Sequence, residues 1–223
     1  SVLFTASASV FKSTDVGRQI WKKSILGEGY GRAEITGYTS GTQVTCNILE
    51  AFDSAVAMAA GDWYLTTDSI SGLEHLEGES VSIVTDGSVH PVGTVAAGVV
   101  ELDYQAGMVH IGRGYTGILK SMNIEVGGTT GPSQTKKKNI HEMGIRFLNT
   151  LGCAYGTNPY DLDDIPFRSS ADVINRPPPL FSGDKKVPVS DNWDEEKHIV
   201  IQQKQPLPCI VQMVVPYVTT SNG

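Results

Sequence analysis

Glu77 and Glu79 are the first residues in this chain whose spacing could do chemistry. On a strand, residues i and i+2 point to one face about 6.5 to 7 Å apart, the separation at which an inverting glycosidase holds water against a sugar. Any strand with alternate acids offers the same spacing, so the pair alone defines no hydrolase. Cys153, His141 and Asp161 supply the residue types of a thiol triad. No family-specific run surrounds that cysteine, and buried cysteines are the common case. Asp161, Asp163 and Asp164 offer oxygen ligands to calcium, but no Gly stands sixth and no Glu twelfth, so the loop is not an EF-hand. The histidines at 75, 90, 110, 141 and 198 show neither i,i+4 spacing nor a short cluster with cysteine. Gly27-Glu28-Gly29-Tyr30-Gly31 and Gly112-Arg113-Gly114-Tyr115-Thr116-Gly117 resemble phosphate cradles, yet no helical pattern follows either, and they read as turns. The sequence therefore assigns no catalytic, cofactor-binding or metal-ligating residue, and implies no cofactor.

The elements that must position these residues are strands. A charged fraction of 18% is low for helices, whose exposed faces carry Lys and Glu pairs, while 24 glycines and many Val, Ile, Thr and Ser residues favour strands and turns. The clearest element runs from Leu73 to Pro91. Val81 and Ile83 alternate with polar residues up to Asp86-Gly87 and the pattern resumes beyond, which predicts a hairpin with positive φ at its turn. A second hairpin is expected across Ser40-Gly41-Thr42, between Ile35–Thr39 and Gln43–Leu49. Asp15–Trp21 is expected to lead into a strand, and further strands are expected at Ser1–Phe4, Ala59–Leu65, Val99–Asp103, Met108–Gly112 and Lys120–Val126.

Residues 140–148 carry conflicting signals. Ile145 and Phe147 alternate, whereas Ile140, Met143 and Phe147 fit helical spacing; Gly144 in the middle favours a strand. Residues 152–197 lack periodicity and include Pro177-Pro178-Pro179, so a long ordered loop is expected there. His198–Gln203 and Ile210–Val218 read as a closing hairpin joined through Pro206-Leu207-Pro208. The predicted fold is all-β, in two or three small barrel- or sandwich-like units with long loops. Their expected bounds are a barrel-like module at 1–68, a compact module at 69–126 and a C-terminal segment at 127–223.

Charge and cysteines narrow the partners. A net charge of -7 argues against a surface that coats nucleic acid. Lys136-Lys137-Lys138 is shorter than a nucleic-acid patch and reads as a solvated loop face. Cys46, Cys153 and Cys209 are odd in number and far apart, so no disulfide framework is suggested and a reducing cytoplasm fits. No stretch reaches the roughly 20 apolar residues of a membrane helix. Because Ser1-Val2-Leu3-Phe4 reads as a strand already under way, the chain is expected to be a fragment of a longer polypeptide.

Several phrases carry a family resemblance. They are Val2–Phe11 with Asp15-Val16-Gly17-Arg18, Ser71–Glu79, Val109-His110-Ile111-Gly112 with Tyr115-Thr116, Ile165–Ser170, Pro178–Asp184 and Gln205–Pro208. Together they resemble the carboxyl-terminal part of the tail tubular B, or nozzle-like, tail component of podovirus-type phages and prophages. The first module is similar to a small inserted β module of such proteins, and its Cys46 implies no thioester chemistry there. The resemblance implies a non-enzymatic virion protein, assembled in the bacterial cytoplasm into a homo-oligomeric, sixfold ring. It would contact other tail or portal-adaptor proteins and pass DNA without binding it specifically, with proline-rich arms such as Arg176–Pro179 making ring contacts. Two rivals stand beside it: a carbohydrate- or receptor-binding tail tip using Trp21, Trp63 or Trp193, and a cell-wall hydrolase using Glu77 and Glu79.

Overall fold

Alternating burial organises the chain into strands almost throughout. The computed structural model describes residues 1–23, 30–52, 57–127, 132–172 and 178–221. Among them the only helical pieces are 3-10 turns at Ser13–Asp15 and Glu74–Leu76. The chain divides into two compact units, 1–86 with 90–111, and 87–89 with 112–223. Three separate apolar clusters form its cores.

In the first unit, β1 (Val2–Thr5), β2 (Gln19–Lys23), β3 (Tyr30–Ser40), β4 (Gln43–Glu50) and β5 (Trp63–Leu65) make one antiparallel sheet in the order β1-β4-β3-β2-β5. Ser40 pairs with Gln43 across the expected turn. The segment after β1 folds over that turn, with Ala6 N donating to Thr42 O and the amides of Val10 and Phe11 to Gly41 O. This lays Phe11 on Ile20, Ala33, Ile35, Val44 and Cys46, the buried face of the sheet. Each large apolar side chain so buried contributes about 1.5–3 kcal/mol before the cost of ordering it.

There follow β6 (Thr67–Ser71), β7 (Ser80–Thr85), β8 (Ser88–Thr94), β9 (Val99–Ala106) and β10 (Val109–Gly112), all of the first unit save Ser88, Val89 and Gly112. β6 pairs with β9, and β7 lies between β10 and β8. The β7–β8 hairpin is the one read from Asp86-Gly87. Asp86 has φ 49° and Gly87 φ 83°, the two positive values of a two-residue turn whose twist matches its strands. Val81, Ile83, Val95, Val100, Leu102 and Ala106 bury together beneath it. The two halves of this unit join through Thr66, whose hydroxyl meets Gln105 Oε1 at 2.7 Å, while Gln105 Nε2 donates to Gly17 O at 2.9 Å. At Gly107 an added Cβ would sit 1.6 Å from Tyr64 Cε2, so the tyrosine ring rests on bare backbone.

The second unit holds β11 (Gly117–Lys120), β12 (Lys137–Thr150), β13 (Ala154–Asn158), β14 (Asp161–Asp164), β15 (Phe181–Pro188), β16 (Val200–Gln203) and β17 (Val211–Ser221). One sheet runs β11-β16-β13-β14 and the other β15-β12-β17. Their shared core includes Ile140, Met143, Ile145, Phe147, Tyr155, Val187, Ile199 and Ile201. The conflict at 140–148 resolves as a strand with a bulge between Ile140 and Glu142. The extra residue shifts the alternation by one, so Ile140 and Met143 both face inward and imitate helical spacing.

Five expectations need correction. None of the sheets closes into a barrel; each keeps two open edges. Lys120–Val126 is not a strand, because β11 ends at Lys120 and the chain beyond is held by single bonds, Ser121 N to Ile199 O and Ile124 N to Lys197 O. As β11 pairs with β16, residues 112–126 fall in the second unit rather than in a middle module. The expected loop at 152–197 contains three strands. β13 and β14 are short and poor in β-branched residues, while β15 turns Lys185 to the same face as Phe181, its ammonium 4.9 Å from that ring and 5.2 Å from Phe167. A lysine at an inward position erases the apolar period. Finally, β16 and β17 form no hairpin: β16 pairs with β11 and β13, β17 pairs with β12 as an edge strand, and Pro206–Pro208 carries the chain from one sheet to the other.

Candidate functional site

The carboxylates read first are fastened to backbone. Glu77 ends the 3-10 turn rather than lying on a strand, and its two oxygens accept from Ala97 N at 2.9 Å and Gly98 N at 2.7 Å. Ala97 and Gly98 have φ of 53° and 70°, so their amides form a concave nest that suits an anion. Glu79 precedes β7, where its amide donates to Leu76 O. The two acids therefore do not share a strand face. Asp86 works as Glu77 does, accepting from Gly107 N at 3.0 Å and Met108 N at 2.8 Å.

Asp161, Asp163 and Asp164 lie on β14 as exposed side chains, not in a ligand loop. Among the described residues no three His, Cys, Asp or Glu side chains converge as they would around a metal. His90 is 3% exposed, with Nδ1 against Pro91 O at 2.8 Å and Nε2 accepting from Asp103 N at 2.9 Å. Both ring nitrogens are thus spent on backbone. His198 Nδ1 meets Ser121 O, and His141 packs by Tyr217; His75 and His110 are exposed. Of the glycine phrases, residues 27–29 lie outside the described residues, Tyr30 and Gly31 begin β3, and 113–116 is irregular chain leading into β11.

Lys136–Lys138 is not a uniform solvated face. It leads into β12, and Lys138 is fully buried, its ammonium donating to Ile124 O at 3.2 Å and reaching Asn123 Oδ1 at 3.5 Å. Of the tryptophans, Trp63 packs in the first core, Trp21 lies beneath the Arg32 guanidinium, and Trp193 is 49% exposed. Arg176 and Pro177 lie outside the described residues.

Two concavities lie among the described residues of the second unit and bear on these side chains. A cleft of 310 Å³ is lined by Lys120, Thr157, Asn158, Asp161, Asp194 and Glu196, among others. Its floor is Asp191, which sequence reasoning missed. Oδ1 accepts from Lys197 Nζ at 2.8 Å and Thr157 Oγ1 at 3.0 Å, and Oδ2 accepts from Ile140 N at 3.0 Å. Both side chains of this ion pair are almost completely buried. Its partners lie up to 51 residues away, so no local pattern announces it.

The smaller cavity, 120 Å³, is lined by Gly152, Cys153, Asp164, Gln202, Lys204 and Gln205. Gln202 Oε1 is buried there without a protein hydrogen-bond partner. The Cys153 thiol donates to Ala154 O at 3.6 Å. Interaction with Cys209, then burial, pushes the Cys153 thiol up, and interaction with Cys153 lowers Cys209. The expected combination of Cys153 with His141 and Asp161 does not arise: His141 neighbours Tyr217, and Asp161 lines the larger cleft. Cys46, in the first core, is raised to about 11 by burial.

No protein-family model matches the chain, and a search of curated proteins finds no match.

Proposed function

We propose that this chain is a structural component of a phage tail, a subunit of a ring assembled through its sheet edges, through which DNA passes without sequence-specific binding. The observation that carries the reading is the character of those edges. β1 exposes Val2 and Leu3, β11 exposes Ile118 and Leu119, and β17 exposes Met213, Val215 and Tyr217. A long edge with exposed apolar side chains invites pairing with another chain, and β17 exposes Val215 and Tyr217 on either side of Pro216.

The phrases that resemble nozzle-like tail proteins supply the class, and the acidic total charge suits a conduit that must release phosphate backbone. Glu77 accepts from two backbone amides, which supports a structural use of that carboxylate. Light scattering on the chain, followed by negative-stain imaging, tests the proposal. Closed rings support it; a monomer at all attainable concentrations contradicts it.

One observation favours the tail-tip reading as a second choice. Trp193 is exposed in the chain segment between Asn192 and Asp194, both of which line the larger cleft. An aromatic face beside hydrogen-bonding groups is suited to a sugar ring. Glycan-array binding that disappears in Trp193→Ala would select this reading over the first.

A further inference from the structure

The walls of the larger cleft come from the turn between β13 and β14 and from the chain between Ser190 and Lys197. That second wall is pinned along its length. Val189 N donates to His141 O at 3.0 Å, Lys138 and Asp194 exchange backbone bonds at 2.7 and 3.1 Å, and the buried pair of Asp191 with Lys197 closes the floor. A wall fixed at so many points needs little ordering when a ligand arrives, so less of the binding energy is lost to it.

The side chains that the fold leaves available there are a mixed set. Asn158 uses Oδ1 to accept from Tyr160 N at 3.0 Å and keeps its amide hydrogens, Ser190 and Asn192 can donate or accept, and Asp161 and Glu196 only accept. Neighbouring sugar hydroxyls each donate and accept, so they match such a set. Among the described residues no three His, Cys, Asp or Glu side chains converge as they would around a metal, and each carboxylate of the cleft is a separate acceptor.

Charge then divides saccharides into classes. At the floor Asp191 and Lys197 cancel, which leaves Asp161, Asp194 and Glu196 against Lys120 in the lining. A carboxylate, sulfate or phosphate on a ligand would give up its hydration there for a net repulsion. We propose that the cleft selects uncharged or amino-bearing saccharides and rejects acidic ones, with Asp161 and Glu196 as the acceptors that set the choice. This selectivity rests on the tail-tip reading, in which the exposed Trp193 supplies the stacking face, and adds to it the class of sugar and the residues that read it.

A glycan array carrying neutral, amino and acidic oligosaccharides, the last sialylated, uronic or sulfated, tests the proposal when probed with the whole chain, with titration calorimetry on the strongest ligand. Binding confined to neutral and amino glycans, and weakened roughly three- to tenfold by Glu196→Gln or Asp161→Asn, is the expected result. Glu196→Lys should admit acidic glycans that the unaltered chain refuses. Both positions are exposed, and Glu195→Gln, outside the cleft lining, controls for the change in total charge. Acidic glycans bound by the unaltered chain and lost in Trp193→Ala would keep the tail-tip reading and overturn the selectivity. Neutral glycans lost in Trp193→Ala but indifferent to Asp161 and Glu196 would also overturn it, by moving the site off the cleft. An array with no bound glycan overturns the selectivity and the tail-tip reading together.

Discussion

The two units solve the problem of closing small sheets by different means. In the first, turns are locked locally to nearby backbone: Glu77 and Asp86 each hold two amides about twenty residues away, over clusters that are almost wholly apolar. In the second, a buried carboxylate, Asp191, joins β12, β13 and the approach to β16 at once, and Lys138 and Lys197 lie inside the protein. Turn chemistry leaves a trace in sequence because particular residue types serve particular dihedrals. A long-range polar junction leaves none.

The contrast is sharpest at Asp191. Replacing it with Ala strands the Lys197 ammonium, 5% exposed, beside an unpaired Ile140 amide. Breaking a buried pair in this way should cost about 3–5 kcal/mol in urea unfolding. Asp191→Asn with Lys197→Met should recover much of that loss, and a double mutant no better than the single would remove the ion pair from the explanation.

Next in size is the packed joint of the first unit. Gly107→Ala drives a methyl into the Tyr64 ring and should cost roughly 1–3 kcal/mol, with Tyr64→Leu relieving part of it in a combined variant. Asp86→Ala removes two charge-assisted bonds and leaves a residue with a Cβ at positive φ. About 2 kcal/mol is expected, measured by thermal unfolding of the chain.

A further effect concerns pH. Burial raises Cys46 in the folded state from an ordinary 9.0 to about 11. A raised folded value means the contribution is complete below the unfolded pKa and is lost as pH climbs through the folded one. Stability should therefore decline between about pH 9 and pH 11. Cys46→Ala should flatten this decline by removing the titrating group, which unfolding midpoints across that range would reveal.

How much was legible follows from the same contrast. The all-β class, the Asp86-Gly87 hairpin and the turn at Gly41 could be read because alternation and turn residues are local. β14, whose inward residues are few, and β15, whose Lys185 occupies an inward place, could not. The apparent β16–β17 hairpin misled because two strand-like runs beside a Pro-Leu-Pro turn look adjacent, although their partners lie elsewhere in the chain. The candidate chemistry fared similarly. Residue types at suggestive spacings do not assemble: Glu77 holds the amides of Ala97 and Gly98 rather than facing Glu79, and His141 lies by Tyr217 rather than by Cys153.

The claim that this protein works by edge-to-edge assembly is most directly tested at β17. Val215 lies on the exposed face of this edge strand, opposite Gly144 of β12. Light scattering should give a mass several times the 23.9 kDa chain for the unaltered protein. Val215→Lys should reduce it toward the monomer while leaving the far-ultraviolet spectrum unchanged. A monomer in both cases, or an assembly indifferent to that charge and to the same substitution at Leu3 and Ile118, would contradict it.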